Sequence, residues 1–156
     1  MNLVSVGHDI WVGDYLACTA ARREQFDRAI HVWHPTNPYR CRHLRDGPDD
    51  QTIIYLDGQP LSEASRPIED VARFAAAPGR LLVHCQAGLC RSPTYAVLAL
   101  AARGADPFDA LGVIARAIWT GYETTVRHAV WPKIEMKVPH FFETALTEIL
   151  EWYERR

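Results

Sequence analysis

The sequence predicts a single-domain α/β protein with a mainly parallel central sheet flanked by helices. Three observations carry that expectation. The chain has 156 residues, the length of one ordinary domain and enough to hide roughly two-thirds of the unfolded chain's surface. Segments of strand character alternate with segments of helical periodicity, and helical segments alone close the chain. Between them stands Leu81-Leu82-Val83, short and apolar without alternation, the pattern of a strand covered on both faces.

In chain order, residues 9 to 15 alternate well enough for a strand, and Thr19 to Arg28 reads as a helix opened by a capping threonine. Ala29 to Trp33 is a second β-favouring run. Residues 34 to 51, with Pro35, Pro38, Gly47 and Pro48, form a connection longer than packing requires. Thr52 to Leu56 is the next strand. Pro67 suits a first helical turn, and Ile68, Val71, Ala72 and Phe74 recur at helical spacing until Pro78-Gly79. A helix starting at Ser92-Pro93, with serine as N-cap, is apolar nearly all round to Ala102. Asp106-Pro107 caps another, with Phe108, Leu111, Ile114 and Ile118 on one face, and the last carries Phe142, Ala145, Leu146, Ile149 and Tyr153. Helices are expected on both sides of the sheet, and residues 119 to 139 fit neither pattern.

Apolar residues make up 48% and charged residues 23% of the chain, which excludes disordered and membrane-protein compositions. A formal charge of −2 lacks the basic surplus of a nucleic-acid partner. The N-terminus meets His8, Asp9 and Asp14 before an export-type apolar stretch develops, and the longest apolar run, Tyr95 to Ala102, is far short of a membrane span. Four scattered cysteines do not make a disulfide framework. The expectation is a cytoplasmic protein of one domain, residues 1 to 156, without membrane or nucleic-acid partners.

The informative segment runs from Leu81 to Thr94, LLVHCQAGLCRSPT. A buried strand delivers Cys85 at its C-terminal end, and Arg91 stands where a helix begins. Backbone N–H groups of such a strand-to-helix loop converge on one point, and the helix N-terminus adds roughly half a positive charge there. Gly88 permits a positive φ. The planar fork of Arg91 can hold two oxygens of a phosphate, and the same field favours a thiolate at Cys85.

At these residues the sequence resembles the cysteine-dependent protein phosphatases, whose signature is His-Cys, five residues, Arg, then Ser or Thr. The matching positions are His84, Cys85, Arg91 and Ser92, and the run Ser92-Pro93-Thr94 resembles the dual-specificity branch. The resemblance implies attack of Cys85 on phosphorus, with Arg91 and the loop Gln86, Ala87, Gly88, Leu89 and Cys90 binding the phosphoryl oxygens. It also implies that Ser92 bonds the sulfur as it leaves, that His84 steadies the loop, and that no cofactor or metal takes part. A family-type general acid is an aspartate some distance before the cysteine. Asp57, in the turn Asp57-Gly58-Gln59-Pro60, fits best, Glu63 stands in reserve, and Asp70 falls inside an expected helix. The implied substrate is a phosphorylated protein, on tyrosine or on serine and threonine, or a small phosphomonoester.

Other readings stay beside this one. The same chemistry could serve an RNA, nucleotide or other non-protein phosphate; a phosphate-binding module without turnover and a redox or sulfur-transfer enzyme with a similar loop are different classes. The loop interior holds no lysine, which argues against a substrate with extra phosphates, and Cys90 stands where the resembled pattern has serine, its role open. Zinc on Cys85, Cys90 and His84 is disfavoured because strand neighbours point to opposite faces. Cys18 and Cys41 read as packing or incidental thiols, and His31 as structural or exposed like His8, His34, His43, His128 and His140. Arg40, Arg42 and Arg45 read as a solvated loop balanced by acids, and an aromatic residue of 119 to 139 lining the pocket mouth is the minority reading.

Overall fold

Parallel pairing built around a fully buried central strand organises the computed structural model, which describes residues 1–36, 41, 43, 45, 47–123, 126, 127, 135, 136 and 138–156. Five strands form the main sheet: β1 (Leu3–Gly7), β2 (Ile10–Gly13), β3 (Arg28–Trp33), β4 (Asp50–Ile54) and β5 (Leu81–His84), in the order β1-β2-β5-β3-β4. Within this sheet only β1 and β2 pair antiparallel; β2 with β5, β5 with β3 and β3 with β4 are parallel. All four residues of β5 are buried, as its unalternating apolar run predicts.

Strand β1 is absent from the sequence expectation. It joins β2 through His8 and Asp9, whose φ values of 51° and 57° make the two-residue turn that suits the twist of a hairpin. His-Asp in place of Asn-Gly hid the turn.

The two faces of the sheet separate by residue parity. Val4, Val6, Ile10, Val12, Ile30, Val32, Ile53, Leu81 and Val83 join one large apolar core. Leu3, Trp11, Ala29 and Leu82, from the alternate positions, form a small second cluster with Cys18, Phe26 and Cys41. Four helices pack against one another over the large core: α2 (Ile68–Ala76), α3 (Arg91–Ala102), α4 (Pro107–Gly121) and α5 (Glu143–Arg155). The expected second helical layer is replaced by a 3-10 turn at Tyr15–Ala17, the single-turn α1 (Ala20–Arg23) and part of the long connection. Thr19 does cap α1, accepting the Arg22 N–H at 3.3 Å, but the helix ends after four residues because Phe26 turns into the second cluster.

The central helix α3 is buried from Arg91 to Ala101. Asp106 caps α4 as expected, its carboxylate accepting the N–H groups of Phe108 and Asp109 at 2.9 and 3.2 Å. Phe108 departs from the expected buried face: it is 66% exposed beside Leu111, Leu146 and Leu150. Short antiparallel strands β6 (Val126–Arg127) and β7 (Glu135–Met136) lie in the stretch that fitted neither pattern, and the rest of 124 to 137 lies outside the described residues.

Candidate active site

The loop between β5 and α3 curls because its carbonyls are taken by partners outside it. The Gln86 carbonyl accepts the Tyr15 N–H at 3.1 Å, Leu89 the His140 N–H at 2.6 Å, and Cys90 the Thr94 N–H at 3.3 Å and its hydroxyl at 2.9 Å. The Gly88 carbonyl accepts the Tyr122 hydroxyl at 2.7 Å. In a trans peptide the N–H points opposite to the carbonyl of the same unit. The amides of Ala87, Leu89, Cys90 and Arg91 are thereby turned away from these partners. Gly88 has φ +74°, and a Cβ there would lie 2.6 Å from the Tyr122 hydroxyl and 3.0 Å from the Asp14 nitrogen, so only glycine fits.

Cys85 stands on the floor of this cradle, 1% exposed. Its Sγ lies 3.2 Å from Ser92 Oγ and accepts the Gly88 N–H at 3.3 Å. Ser92 is not the helix cap. Helix α3 starts two residues earlier with Cys90 at the N-cap, and the Ser92 hydroxyl, 3.4 Å from the Gly13 carbonyl, is left to face the sulfur. The same Gly13 carbonyl accepts the Cys85 N–H at 3.4 Å, so the end of β2 fixes where the loop departs. Asp14 holds that end in turn, its carboxylate accepting the N–H groups of Asn2, Leu16 and Ala17.

Arg91 is 8% exposed, and its Nε and Nη1 have no aligned hydrogen-bond partner. Asp57 lies beside it, Oδ1 to Nε 3.4 Å, with a side chain 42% exposed. Strand β4 ends at Ile54, two residues short of the expected limit, so Tyr55 and Leu56 lead from the sheet to Asp57. Gly58 at φ +82° and the Gln59 N–H to Leu56 carbonyl bond close the turn, and the Tyr55 hydroxyl donates to the Gln59 carbonyl at 2.8 Å. Glu63 is exposed at the end of a 3-10 turn, and Asp70 pairs with exposed Arg73 on α2.

Burial pushes the Cys90 thiol up to about 12, with the charges of Cys85 and Asp57 adding to it and Arg91 opposing. Burial also raises the Tyr122 hydroxyl, which keeps its proton for Gly88. His84, fully buried, is held below the usual histidine range chiefly by that burial, with His31 beside it adding to the effect.

The chain superposes on human DUSP28 with a TM-score of 0.60 at 15% identity, covering 99% of this chain and 94% of that one. Against PTPMT1 in complex with PI(5)P the score is 0.58 at 14% identity, covering 99% and 96%. Against the human tyrosine phosphatase-like serine/threonine/tyrosine-interacting protein it is 0.60 at 12% identity, covering 98% and 96%. The chain has the dual-specificity phosphatase fold. No protein-family model and no curated protein matches it.

Within that phosphatase fold the structure brings together Cys85, Ser92, Gly88, Arg91 and Asp57, and leaves Glu63 and Asp70 on the surface. Sequence reasoning missed Gly13 and Asp14, which gave no signal because their contribution is a backbone carbonyl and a turn. It also missed Tyr122, an aromatic of the 119 to 139 stretch that lies against the loop. Arg40 and Arg42 lie outside the described residues, and Arg45 is exposed with its N–H on Asp50.

Proposed function

We propose that the chain is a phosphomonoester hydrolase that works through a cysteinyl-phosphate on Cys85, with phosphotyrosine or phosphoserine/threonine of proteins as substrate. The observation that supports this reading is the meeting of Cys85 Sγ with the Ser92 hydroxyl and the Gly88 N–H at one end of a short loop that ends in the Arg91–Asp57 pair. The Cys85 thiolate attacks phosphorus as the bond to the leaving oxygen breaks, and Asp57 protonates that oxygen. The Arg91 fork and the amides hold the three equatorial oxygens, where charge is carried through the transfer. A water then attacks the cysteinyl-phosphate, Asp57 takes its proton, and the Ser92 hydroxyl donates to the departing sulfur. Orthophosphate and the free thiolate result. An entering dianion takes Arg91 from Asp57, so substrate itself frees the acid.

The loop interior from Gln86 to Cys90 carries no charged side chain, which favours a single phosphate over substrates bearing several. PI(5)P is held by PTPMT1, and a lipid of that kind is the arm against which phosphopeptides are compared. Turnover of phosphotyrosine and phosphothreonine peptides, an aryl phosphate, a nucleotide, a 5′-phosphorylated RNA and a phosphoinositide decides the class. Expected are turnover of the aryl phosphate and at least one phosphopeptide, loss of both in Cys85→Ser with retained tungstate binding, and loss of most activity in Arg91→Lys. Turnover in Cys85→Ser equal to the wild type overturns the mechanism, and activity confined to RNA, nucleotide or lipid overturns the protein substrate.

A further inference from the structure

On the face of the sheet opposite α2 to α5, four residues far apart in sequence converge. Cys18 follows the turn after β2, His31 lies on β3, Cys41 belongs to the long connection and His84 ends β5. Their ligand atoms, two sulfurs and two ring nitrogens, all lie within 4.8 Å of one another. Cys18, His31 and His84 are at most 1% exposed, and Cys41 is half-buried. The sulfurs are 3.3 Å apart, and His31 Nδ1 is 2.5 Å from His84 Nε2.

The surroundings dictate which atoms point inward. His31 Nε2 lies 2.8 Å from a carboxylate oxygen of Asp50, so it donates there and presents Nδ1 as a lone pair. Asp50 is itself fixed by buried Arg23, whose Nε is 3.1 and 3.2 Å from its oxygens, and by the Arg45 N–H at 3.1 Å. Trp33 stacks on the His31 ring at 6.5 Å and meets the His84 ring edge-on at 5.7 Å, which locks both orientations. A carboxylate behind a buried imidazole is the usual outer support of a metal-bound histidine. Without a metal the rings share one proton and the sulfurs another; one ion takes the place of both contacts.

We propose that Cys18, His31, Cys41 and His84 form a structural zinc site. Two thiolates and two imidazoles in a closed tetrahedron are a zinc donor set, and the thiolates cancel the ion's charge in a buried place. Tetrahedral zinc with bonds of about 2.0 to 2.3 Å sets its ligand atoms about 3.3 to 3.8 Å apart, so the ring nitrogens, at 2.5 Å, spread by less than about 1 Å and the sulfurs, at 3.3 Å, by about 0.5 Å to admit it. On binding, each thiol releases its proton to solvent and each imidazole contributes a lone pair; nothing is oxidised or reduced. The ion ties the long connection to the sheet and holds the residue immediately before Cys85, so it steadies the phosphate loop from behind without touching substrate.

The test is metal analysis of the full chain, reduced and reconstituted with zinc. Expected is about one zinc per chain, unchanged in Cys85→Ser and Cys90→Ser and lost in Cys18→Ser and Cys41→Ser. Chelation should lower the melting temperature of the wild type and leave that of Cys41→Ser in place. Should the variants fail to fold, cobalt-substituted wild type decides, through tetrahedral ligand-field bands with sulfur-to-cobalt charge transfer. A wild type that takes up no zinc, a cobalt spectrum without charge transfer, or zinc retained in Cys18→Ser/Cys41→Ser overturns the site. So does a Cys18–Cys41 disulfide as the state of the freshly isolated protein.

Discussion

The two faces of the sheet are held by different physics. Toward the helices, Ile30, Val32, Ile53, Leu81 and Val83 meet the apolar sides of α2 to α5, and burial, at roughly 25 cal/mol per Å² of apolar surface, drives the packing. Toward the other face, the alternate positions of the same strands carry His31, Trp33 and His84, answered by Asp50, Arg23, Cys18 and Cys41. The first face has enough apolar surface to close by itself. The second, covered by one-turn helices and a long connection, is closed by specific polar contacts, each of which leaves a buried group unsatisfied if its partner is lost.

Substitutions at the two faces should separate activity from stability. The largest effect is expected for Asp57→Asn, where turnover of a phosphopeptide falls by roughly 10²- to 10⁴-fold while the urea midpoint stays in place; an equal loss in Glu63→Gln with Asp57→Asn unaffected would move the acid to Glu63. Next comes Asp50→Asn on the opposite face, which leaves Arg23 buried without its counter-charge and should cost about 3–5 kcal/mol in denaturant unfolding. Stability within about 1 kcal/mol of the wild type would show that the polar face is not needed for closure.

Tyr122→Phe removes the hydroxyl that holds the Gly88 carbonyl, and about 1 kcal/mol of stability with a few-fold drop in kcat is expected. A kcat equal to the wild type would mean that the loop keeps its shape without that anchor. The smallest effect is expected at Cys90. With its thiol pushed up to about 12, it is protonated at neutral pH, so iodoacetamide should label Cys85 first and leave Cys90 unmodified in the folded protein, as read by peptide mass spectrometry. Labelling of Cys90 as fast as an unfolded thiol would break the contrast between the two loop cysteines.

What could be read in advance follows the same division. The helix-side face was legible because apolar periodicity reports burial directly: β5, α3 and the Asp106 cap all emerge from local pattern. The cradle was legible through spacing, since His84, Cys85, Gly88, Arg91 and Ser92 lie in one short loop, and Asp57 through its place after a strand. The polar face was not. Cys18, His31, Cys41 and His84 are brought together by sheet order and by the path of a connection, and no spacing in the chain encodes either. Tyr122 and Gly13 escaped for a related reason: each contributes one polar atom to the loop, and a single atom leaves no periodic trace.

Strand β5 also sets how the gene can change. His84 and Cys85 are consecutive and send their side chains to opposite faces, so one peptide bond separates the two chemistries. A deletion or insertion of a single residue between Leu81 and Cys85 exchanges the faces, setting the thiol among the histidines and an imidazole beneath the cradle. Substitution along β5 can be gradual, but length change cannot. The segment should therefore vary among descendants of this chain in which aliphatic residue it uses, and never in how many.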